Sequence, residues 1–421
     1  AAEQLIAEGN TPENRARFVA LFSQSQGVAS GGDPGLDETL EAIRSEMRRF
    51  CEQQVTPHAH EWHLQNEYIP LPVIEQMAEL GVFGLTIPEE FGGAGLNTSQ
   101  YIKTIHTISY AMPAFRSIIS INIGMFASAL KNGGTEAQKE RWLPRMARME
   151  MIGAFALTEP DHGSDSVALE TTARREGDTW VLDGAKRWIG NASYAHVIVI
   201  YARDVADGQV KAFVLEREPD TEFPAGFEPT VITGKIGKRA INQADIVIED
   251  LRIPEENRLE NCHSFKDVNK VLKATRGGAS WEAVGHGMAA FEIAANYALE
   301  REQFGMPIAS YQLVQARLAT MLSDLTSMQL LCTRMAQLQE RDQLTDAMAS
   351  MVKMTTSRKA LAMCRTARDM LGGNGLLLEY HIGRHLTDME VVSTYEGTDS
   401  MQALIVGREI TGISAFTRKH R

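Results

Sequence analysis

The strongest constraint on the fold is a hydrophobic pattern that changes twice along the chain. From Asp37 onward, apolar residues recur at helical spacing, as they do over residues 40–50. Between about 151 and 255, β-branched runs such as 196–201 replace that pattern. After Pro254, long helical stripes return. This order predicts a mainly α fold with a β middle domain.

The chain length and its punctuation predict the domain organisation. With 421 residues, about three domains are expected. Glycine and serine cluster near the start, and turn signals at 177–178 and 183–184 indicate hairpins in the middle. We therefore expect an N-terminal tail at 1–36, a helical domain at 37–150, an antiparallel β-barrel or sandwich at 151–260, and a C-terminal four-helix bundle at 261–421.

Composition excludes several classes of protein. Hydrophobic residues make up 44% and charged residues 23%, which is typical of a globular chain. The net charge of -12 argues against nucleic acid as a partner. No apolar run approaches the roughly 18 residues of a membrane span. The four cysteines are widely separated, which indicates free thiols rather than a metal site.

Five short motifs carry residue types suited to a phosphate-bearing cofactor or to proton transfer. They are a hydroxyl-rich loop, a Trp near a Gly, an Arg ending a helix, a glycine-rich helix end and a Glu before a helix. They lie at 157–165, 186–191, 300–305, 369–375 and 394–398. Each also has a purely structural explanation, as a turn, a core residue, a helix cap or a first-turn carboxylate. No metal-ligand spacing and no G-x-S-x-G motif occurs.

Taken together and in this order, the five motifs resemble the acyl-CoA dehydrogenase family, flavoproteins of helical–β–helical build. The resemblance covers about residues 37–416. The family's first signature is similar to 157–165, and its second is similar to 371–375, 395–398 and 403–408. The glutaryl-CoA dehydrogenase branch is most similar at 368–373, 379–381 and 407–413.

The resemblance implies FAD as cofactor and a set of residues that bind it. Those along the isoalloxazine ring would be Phe155, Leu157, Thr158, Trp188 and Gly190. Those at the phosphates and the adenine half would be Gly163, Ser164, Asp369, Gly373 and Thr398. Arg301 and Phe304 would reach from one subunit into the FAD of its neighbour. The resemblance also implies a homotetramer.

The resemblance also implies the reaction, which is the α,β-dehydrogenation of a short-chain or dicarboxylyl acyl-CoA. Glu396 would remove the α-proton, and flavin N5 would take the β-hydride. Some relatives carry the base at a position that is occupied by Thr275 here. Because a threonine is not such a base, Glu396 has no rival in this sequence. A carboxylate can act on so weak an acid only when desolvation raises its basicity and donors hold the enolate oxygen. The substrate-binding residues would be Arg116, Ser117, Ser164, Arg276, Tyr395, Gly397 and Arg408.

Gly190 departs from the family pattern and leaves the electron acceptor open. Most dehydrogenase relatives have Thr or Ser there, whereas plant peroxisomal acyl-CoA oxidases also have Trp-Ile-Gly-Asn. We expect a small void beside flavin N5. Electron-transferring flavoprotein is favoured as the acceptor, with O2, and therefore an acyl-CoA oxidase, as the alternative. A non-catalytic scaffold with the same fold is a third possibility, which the presence of Glu396 argues against.

A second departure concerns the acyl chain. Arg116 and Ser117 match the place where glutaryl-CoA dehydrogenases hold the distal carboxylate, which favours a dicarboxylyl-CoA. The acid found seven residues before that arginine is Ser109 here, which argues against a decarboxylating step. Residues 417–421 do not form a peroxisomal S-K-L tail, so the bacterial cytoplasm or the mitochondrial matrix is expected.

Overall fold

Two helical regions flank one β-sheet, as the hydrophobic pattern predicted. The computed structural model describes residues 38–97 and 117–415, together with 11–14, 16, 17 and 20. The predicted tail is therefore almost entirely outside the described residues. So is the segment around Arg116.

The N-terminal helical region begins with three helices, α1 (Glu38–Phe50), α2 (Thr56–Gln65) and α3 (Leu71–Glu79). A π-helical turn, Cys51–Val55, joins α1 to α2. A second π-helical segment, Ser120–Phe126, leads into α4 (Ala127–Gly133).

The last helix of this region, α5 (Glu136–Ala147), begins at a capping box. The Thr135 hydroxyl accepts from the Gln138 N–H, and the Gln138 side chain accepts from the Thr135 N–H.

The middle region, all of which is described, forms one seven-stranded sheet. Its strands are β1 (Gly153–Ala156), β2 (Thr172–Glu176), β3 (Thr179–Gly190), β4 (Val197–Asp204), β5 (Val210–Glu216), β6 (Phe227–Val231) and β7 (Gln243–Pro254). Both β1 and β2 pair with β4 in parallel, and the other pairs are antiparallel. The sheet is therefore mixed rather than wholly antiparallel, because β4 is reached by crossovers and not by hairpins.

One of the two predicted hairpin turns is confirmed and the other is wrong. Gly177 and Asp178 do form the turn between β2 and β3. Gly184, in contrast, lies inside β3, where the pairing with β7 shifts register. Its φ is +151°, and a Cβ there would lie 2.6 Å from Thr171 Oγ1. The glycine therefore permits a close approach of two backbones instead of a chain reversal.

The C-terminal region contains five helices within the described residues. They are α6 (Phe265–Glu300), α7 (Gln312–Glu340), α8 (Asp346–Met370), α9 (Ile382–Thr394) and α10 (Asp399–Thr411). A short hairpin of β8 (Glu302–Gln303) and β9 (Met306–Pro307) links α6 to α7. The sequence missed α9, since this short helix buries the polar side chains of Arg384, His385 and Asp388 and has a weak apolar stripe.

Three hydrophobic clusters stabilise the fold. One joins the N-terminal helices to one face of the sheet and to the first turns of α6, and a second covers the other face of the sheet. The third lies among the C-terminal helices, where the apolar face of α7 is buried from Leu318 to Met335. Cys51, Cys262, Cys332 and Cys364 are free and buried. Burial raises the pKa of the Cys51 and Cys262 thiols to about 12. Among the described residues, no helix combines the length and apolar character needed to cross a membrane.

Five histidines line the junction where the three regions meet, and three of them, His63, His286 and His385, are buried. On α2, His63 is buried, and the ring of His60 stacks on that of His381 with 4.6 Å between centroids. On α6 and α9, the Nδ1 atoms of His286 and His385 are 3.1 Å apart. Burial lowers the pKa of His63 and His381 to about 4. It lowers the pKa of His286 and His385 well below the usual value of a histidine.

We predict that this junction makes the fold sensitive to acid. Burial lowers the pKa of His63 to about 4. The charge of Asp388 opposes this shift, and the neighbouring positive groups add to it, namely Arg239, Arg384 and His60. The unfolded chain binds this proton near pH 6.5, so stability falls as the pH drops from about 6.5 to 4. On acidification, the free energy of unfolding of His63→Gln should fall by on the order of 1–2 kcal/mol less than that of the wild type, after allowance for solvent screening.

The measurement is urea unfolding of the wild type and His63→Gln at pH 7.5 and pH 5. His263→Gln is the matched control, because His263 is exposed. An equal loss of stability on acidification in all three proteins would contradict the prediction.

Candidate active site

Glu396 lies on a tight turn between α9 and α10. Its φ is +56° and that of Gly397 is +86°, so two consecutive residues are left-handed, which is costly for a glutamate. The Gln402 amide donates to the carbonyls of Glu396 at 2.9 Å and Gly397 at 3.0 Å. A Cβ at 397 would lie 2.4 Å from that amide nitrogen. Thr398 then caps α10 by accepting from the Met401 N–H.

The Glu396 carboxylate accepts a hydrogen bond from Thr275. The sequence analysis considered Thr275 only as the position of the base in some relatives. Thr275 Oγ1, on α6, donates to Glu396 Oε2 at 2.6 Å. Thr275 is buried and Glu396 is half-buried. The carboxylate is therefore oriented by the protein while it stays accessible to a ligand.

Two cations, of which Lys353 is buried and Arg276 is partly buried, lie near the same turn. Lys353 is fully buried, and its ammonium donates to the carbonyls of Ser393 at 3.0 Å and Gly397 at 2.9 Å. Burial lowers the pKa of Lys353 to about 8, opposed by the charges of Glu396 and Asp399. Lys353 was missed, because a lysine within a helical pattern gives no sequence signal of burial.

Arg276 follows Thr275 and lies at the same end of α6. Its guanidinium is 3.5 Å from Asp346 Oδ1. Burial lowers the pKa of Arg276, with the charges of Asp346 and Glu396 opposing. The charges of both Arg276 and Lys353 therefore interact with Glu396.

The residues expected along the flavin ring lie together at one edge of the sheet. Phe155 is on β1, and Leu157 and Thr158 follow that strand. The Arg187 N–H donates to the Thr158 carbonyl at 2.8 Å. Trp188 sits at a register shift of β3 with φ of +64°, and 47% of its surface is exposed. This left-handed residue turns the aromatic ring out of the sheet.

A buried ion pair that the sequence did not reveal anchors the first motif. The Lys186 ammonium donates to Glu159 Oε1 at 2.8 Å and to the Tyr201 carbonyl at 2.6 Å, and both charged side chains are buried. Burial lowers the pKa of Lys186 to about 8, opposed by Glu159. The loop is thus fixed at its start, while Gly163 and Ser164 remain exposed.

The void expected beside Gly190 is absent. A Cβ at this position would lie 2.4 Å from Cδ1 of Ile121, which belongs to the π-helical segment Ser120–Phe126. Ile121 therefore occupies the space that a larger side chain at 190 would fill. The sequence could not reveal this packing, since the two residues are far apart in the chain.

The other predicted FAD contacts lie at the opposite end of α6. From Thr275 to the end of that helix at Glu300 is about 38 Å at 1.5 Å per residue. Phe304, with φ of +53°, is 95% exposed, and Arg301 is exposed as well. The structure does not bring these two residues to Glu396 of the same chain.

Asp369 and Gly373 share this remote end. The Asn374 amide donates to the Tyr297 hydroxyl at 3.0 Å, which places the glycine-rich segment beside the last turns of α6. Asp369 accepts from Arg317 at 2.8 Å. No atom within 4 Å crowds a Cβ position at Gly373, so its backbone is open to a ligand.

The predicted substrate contacts are only partly grouped. The Tyr395 hydroxyl donates to Glu282, and Ser117 Oγ accepts from the Lys238 ammonium at 2.9 Å. Arg408 is exposed in the last turn of α10. Arg116 and Ser109 lie outside the described residues. Within the described part of the chain, no group of His, Cys, Asp and Glu could hold a metal ion.

Comparison with known proteins agrees with this arrangement. Three family models match in order, those for the acyl-CoA dehydrogenase N-terminal domain at 37–150, the middle domain at 154–251 and the C-terminal domain at 265–411. The chain is 36% identical to (2S)-methylsuccinyl-CoA dehydrogenase of Cereibacter sphaeroides, over 97% of this chain and 76% of that protein. It is 34% identical to the mitochondrial short-chain specific acyl-CoA dehydrogenase of Bos taurus, over 88% and 90%.

Among solved structures, a glutaryl-CoA dehydrogenase from Mycobacterium smegmatis in complex with FADH2 superposes with a TM-score of 0.86. It is 30% identical and covers 95% of this chain and 99% of its own. These matches span all three regions of the molecule. The chain therefore belongs to the acyl-CoA dehydrogenase family, FAD-dependent oxidoreductases that act on CH–CH bonds.

Proposed function

We propose that the protein dehydrogenates a short-chain or dicarboxylyl acyl-CoA at the α,β bond, with Glu396 as the base that removes the α-proton. The observation that carries this proposal is the half-buried Glu396 carboxylate, oriented by the 2.6 Å bond from Thr275. The charges of Lys353 and Arg276 lie close enough to interact with this carboxylate. A scaffold without catalysis would have no use for this arrangement.

The residues at the sheet edge fit the ring end of FAD. Phe155, Leu157 and Thr158 offer an apolar and hydroxyl-bearing surface beside Gly190, and the outward Trp188 provides an aromatic flank. The exposed Gly163 and Ser164 offer backbone N–H groups, and Thr398 a hydroxyl, to a phosphate or an acyl-CoA. FAD bound there supplies the acceptor for the β-hydride. The protein's own part is to align substrate between Glu396 and this edge.

We propose that each FAD site is completed by a second copy of the chain. Arg301, Phe304, Asp369 and Gly373 lie about 38 Å along α6 from Thr275, which is farther than one dinucleotide can bridge. Phe304 projects almost fully into solvent. The same region exposes Leu313 and Leu376, which are 82% and 72% exposed and suit burial in a subunit interface. A homotetramer is the assembly we propose.

The substrate is proposed to carry a second carboxylate. The named substrates of two similar proteins, methylsuccinyl-CoA and glutaryl-CoA, are dicarboxylyl thioesters. The short-chain enzyme of Bos taurus supports the short chain length. Similar proteins are found in bacteria and in mitochondria, and we propose the bacterial cytoplasm or the mitochondrial matrix as the location.

Electron-transferring flavoprotein is proposed as the electron acceptor in preference to O2. The argument for an oxidase rested on space beside Gly190, and Ile121 fills that space. A packed apolar side chain at this position reduces the space available to an oxygen molecule. The alternative acceptor is thereby disfavoured.

The base is tested with Glu396→Gln. The amide keeps the shape of the side chain but cannot accept the proton, so bleaching of the bound FAD by glutaryl-CoA or butyryl-CoA should slow by about 10²–10⁴-fold or more. FAD content and thioester binding should be retained. Glu409→Gln, an exposed change on α10, is the control. Bleaching at the wild-type rate in Glu396→Gln would place the base elsewhere.

The shared site is tested with Arg301→Ala and Phe304→Ala. Both should lower the ratio of FAD to protein, because each removes a contact to the cofactor of the neighbouring subunit. The ratio is read from absorbance, and the assembly from sedimentation velocity. Arg341→Ala, at the exposed end of α7 opposite the hairpin, should retain FAD. Full FAD occupancy in both variants would refute the sharing of the site.

The acceptor is tested at Ile121. Ile121→Ala opens the space beside Gly190, so substrate-reduced enzyme should be reoxidised by air-saturated buffer faster than the wild type. Ile121→Val should fall between the two. Stopped-flow absorbance gives the rates. Identical rates in the three proteins would mean that this packing does not limit access of oxygen.

A further inference from the structure

Four polar side chains, those of Ser117, Lys238, Glu282 and Tyr395, form a connected group that we call the Lys238 cluster. Lys238 and Glu282 form an ion pair, with only 3% and 0% of their side chains exposed. The Lys238 ammonium also donates to Ser117 Oγ at 2.9 Å and lies 5.7 Å from the centroid of the Tyr395 ring. The Tyr395 hydroxyl donates to Glu282 Oε2. Because burying two charges is costly, a role beyond packing is indicated.

On one side, the Lys238 cluster adjoins the proposed base. Tyr395 directly precedes Glu396 in the turn between α9 and α10. Glu282 lies seven residues after Thr275 on α6, which is about two helical turns along the same face. Thr275 is the residue that donates to Glu396.

On the other side, the Lys238 cluster adjoins the sheet edge. Ser117 lies four residues before Ile121, and Ile121 packs against Gly190. An acyl chain held between Glu396 and Gly190 would therefore have the cluster at one end. Since CoA is bulky and must reach solvent, an acyl chain bound in this way would direct its far tip, rather than its thioester, toward the buried cluster.

The position of Lys238 is fixed from several directions. Its N–H donates to Asp388 Oδ1 at 2.6 Å, and its carbonyl accepts from the Lys235 ammonium at 3.0 Å. The preceding Gly237 leaves no space for a side chain, because a Cβ there would lie 2.3 Å from the Thr387 carbonyl oxygen. The backbone that carries the ammonium is therefore preorganised.

The surroundings of the Lys238 cluster carry an excess of positive charge. Among the described residues that interact at this junction, four are cations and two are carboxylates, namely Lys235, Lys238, Arg239 and Arg384 against Glu282 and Asp388. Burial lowers the pKa of His286 and His385, which are therefore neutral at pH 7. A positive potential at the closed end of a site attracts an anionic group.

We propose that Lys238 is a specificity-determining residue whose ammonium selects acyl chains that end in a carboxylate, with Glu282 as a built-in counter-ion that limits this selectivity. The inference rests on the proposed function and adds Lys238 to Arg116 and Ser117, the two residues that the family resemblance implies at the distal carboxylate. A terminal carboxylate accepts a charge-assisted hydrogen bond from an ammonium, whereas a terminal methyl group cannot. Glu282 repels the same carboxylate, so neutralising Lys238 and neutralising Glu282 should have opposite effects.

The experiment compares kcat/KM for glutaryl-CoA, methylsuccinyl-CoA and butyryl-CoA. The wild type should prefer the two dicarboxylyl thioesters. In Lys238→Met, kcat/KM for them should fall about tenfold or more, mainly through KM, while that for butyryl-CoA changes little. In Glu282→Gln, the preference for the dicarboxylyl thioesters should increase. Lys238→Arg, which keeps the charge, should keep the wild-type preference.

Loss of one partner from a buried ion pair can impair folding, so the double variant Lys238→Met/Glu282→Gln is included. It leaves no unpaired charge and should fold, with the preference for a terminal carboxylate abolished. Lys211→Met is the matched control, because Lys211 pairs with Asp204 in the middle sheet, away from Glu396. It should not change the ratio of the substrates.

Two results would overturn the inference while the proposed function stands. One is a wild type that turns over butyryl-CoA at least as well as the dicarboxylyl thioesters. The other is a parallel loss of activity toward all three substrates in the Lys238 and Glu282 variants, which a purely structural ion pair predicts. If none of the three thioesters bleaches the wild-type flavin, the proposed function and the inference fail together.

Discussion

The site depends on one backbone constraint, the left-handed turn that carries Glu396 and Gly397 between two helices. Two consecutive residues of positive φ are not self-stabilising, so the surrounding structure must impose them. Gln402 binds both carbonyls from the following helix, and Lys353 binds one of them from α8. Two helices of the C-terminal region, α10 and α8, thus converge on a single turn. The position of the carboxylate is fixed by this convergence rather than by its own flexible side chain.

Features of the fold that depend on short stretches of sequence could be predicted. The capping box at Thr135, the buried face of α7 and the order of helices, strands and helices follow from short-range pattern. Features that depend on distant partners could not be predicted. Asp183 and Gly184 are residue types typical of a hairpin turn, but Gly184 permits a close approach to Thr171 instead. Only the tertiary structure distinguishes these two uses of a glycine.

The same limit applies to the candidate site. The Glu396 motif and the loop that follows β1 were recognised from the kinds of residue they contain. Thr275 was considered only because it was not a carboxylate, and its hydrogen bond to Glu396 spans 121 residues of sequence. Lys186, Lys238 and Lys353 were missed for a common reason, since charged residues are usually exposed and nothing local marks these as buried. Helix α9 was missed because such buried polar residues interrupt its apolar stripe.

The exposed hairpin that carries Phe304 has a thermodynamic consequence for the proposed assembly. A cofactor that touches two chains binds the oligomer but not the separated subunits, so cofactor binding and subunit association are linked equilibria. Excess FAD would then stabilise the assembly, and dilution would promote loss of FAD together with dissociation. One chain with a defective hairpin would impair the site of a sound neighbour, so in mixed oligomers the number of working sites would not simply follow the number of intact chains.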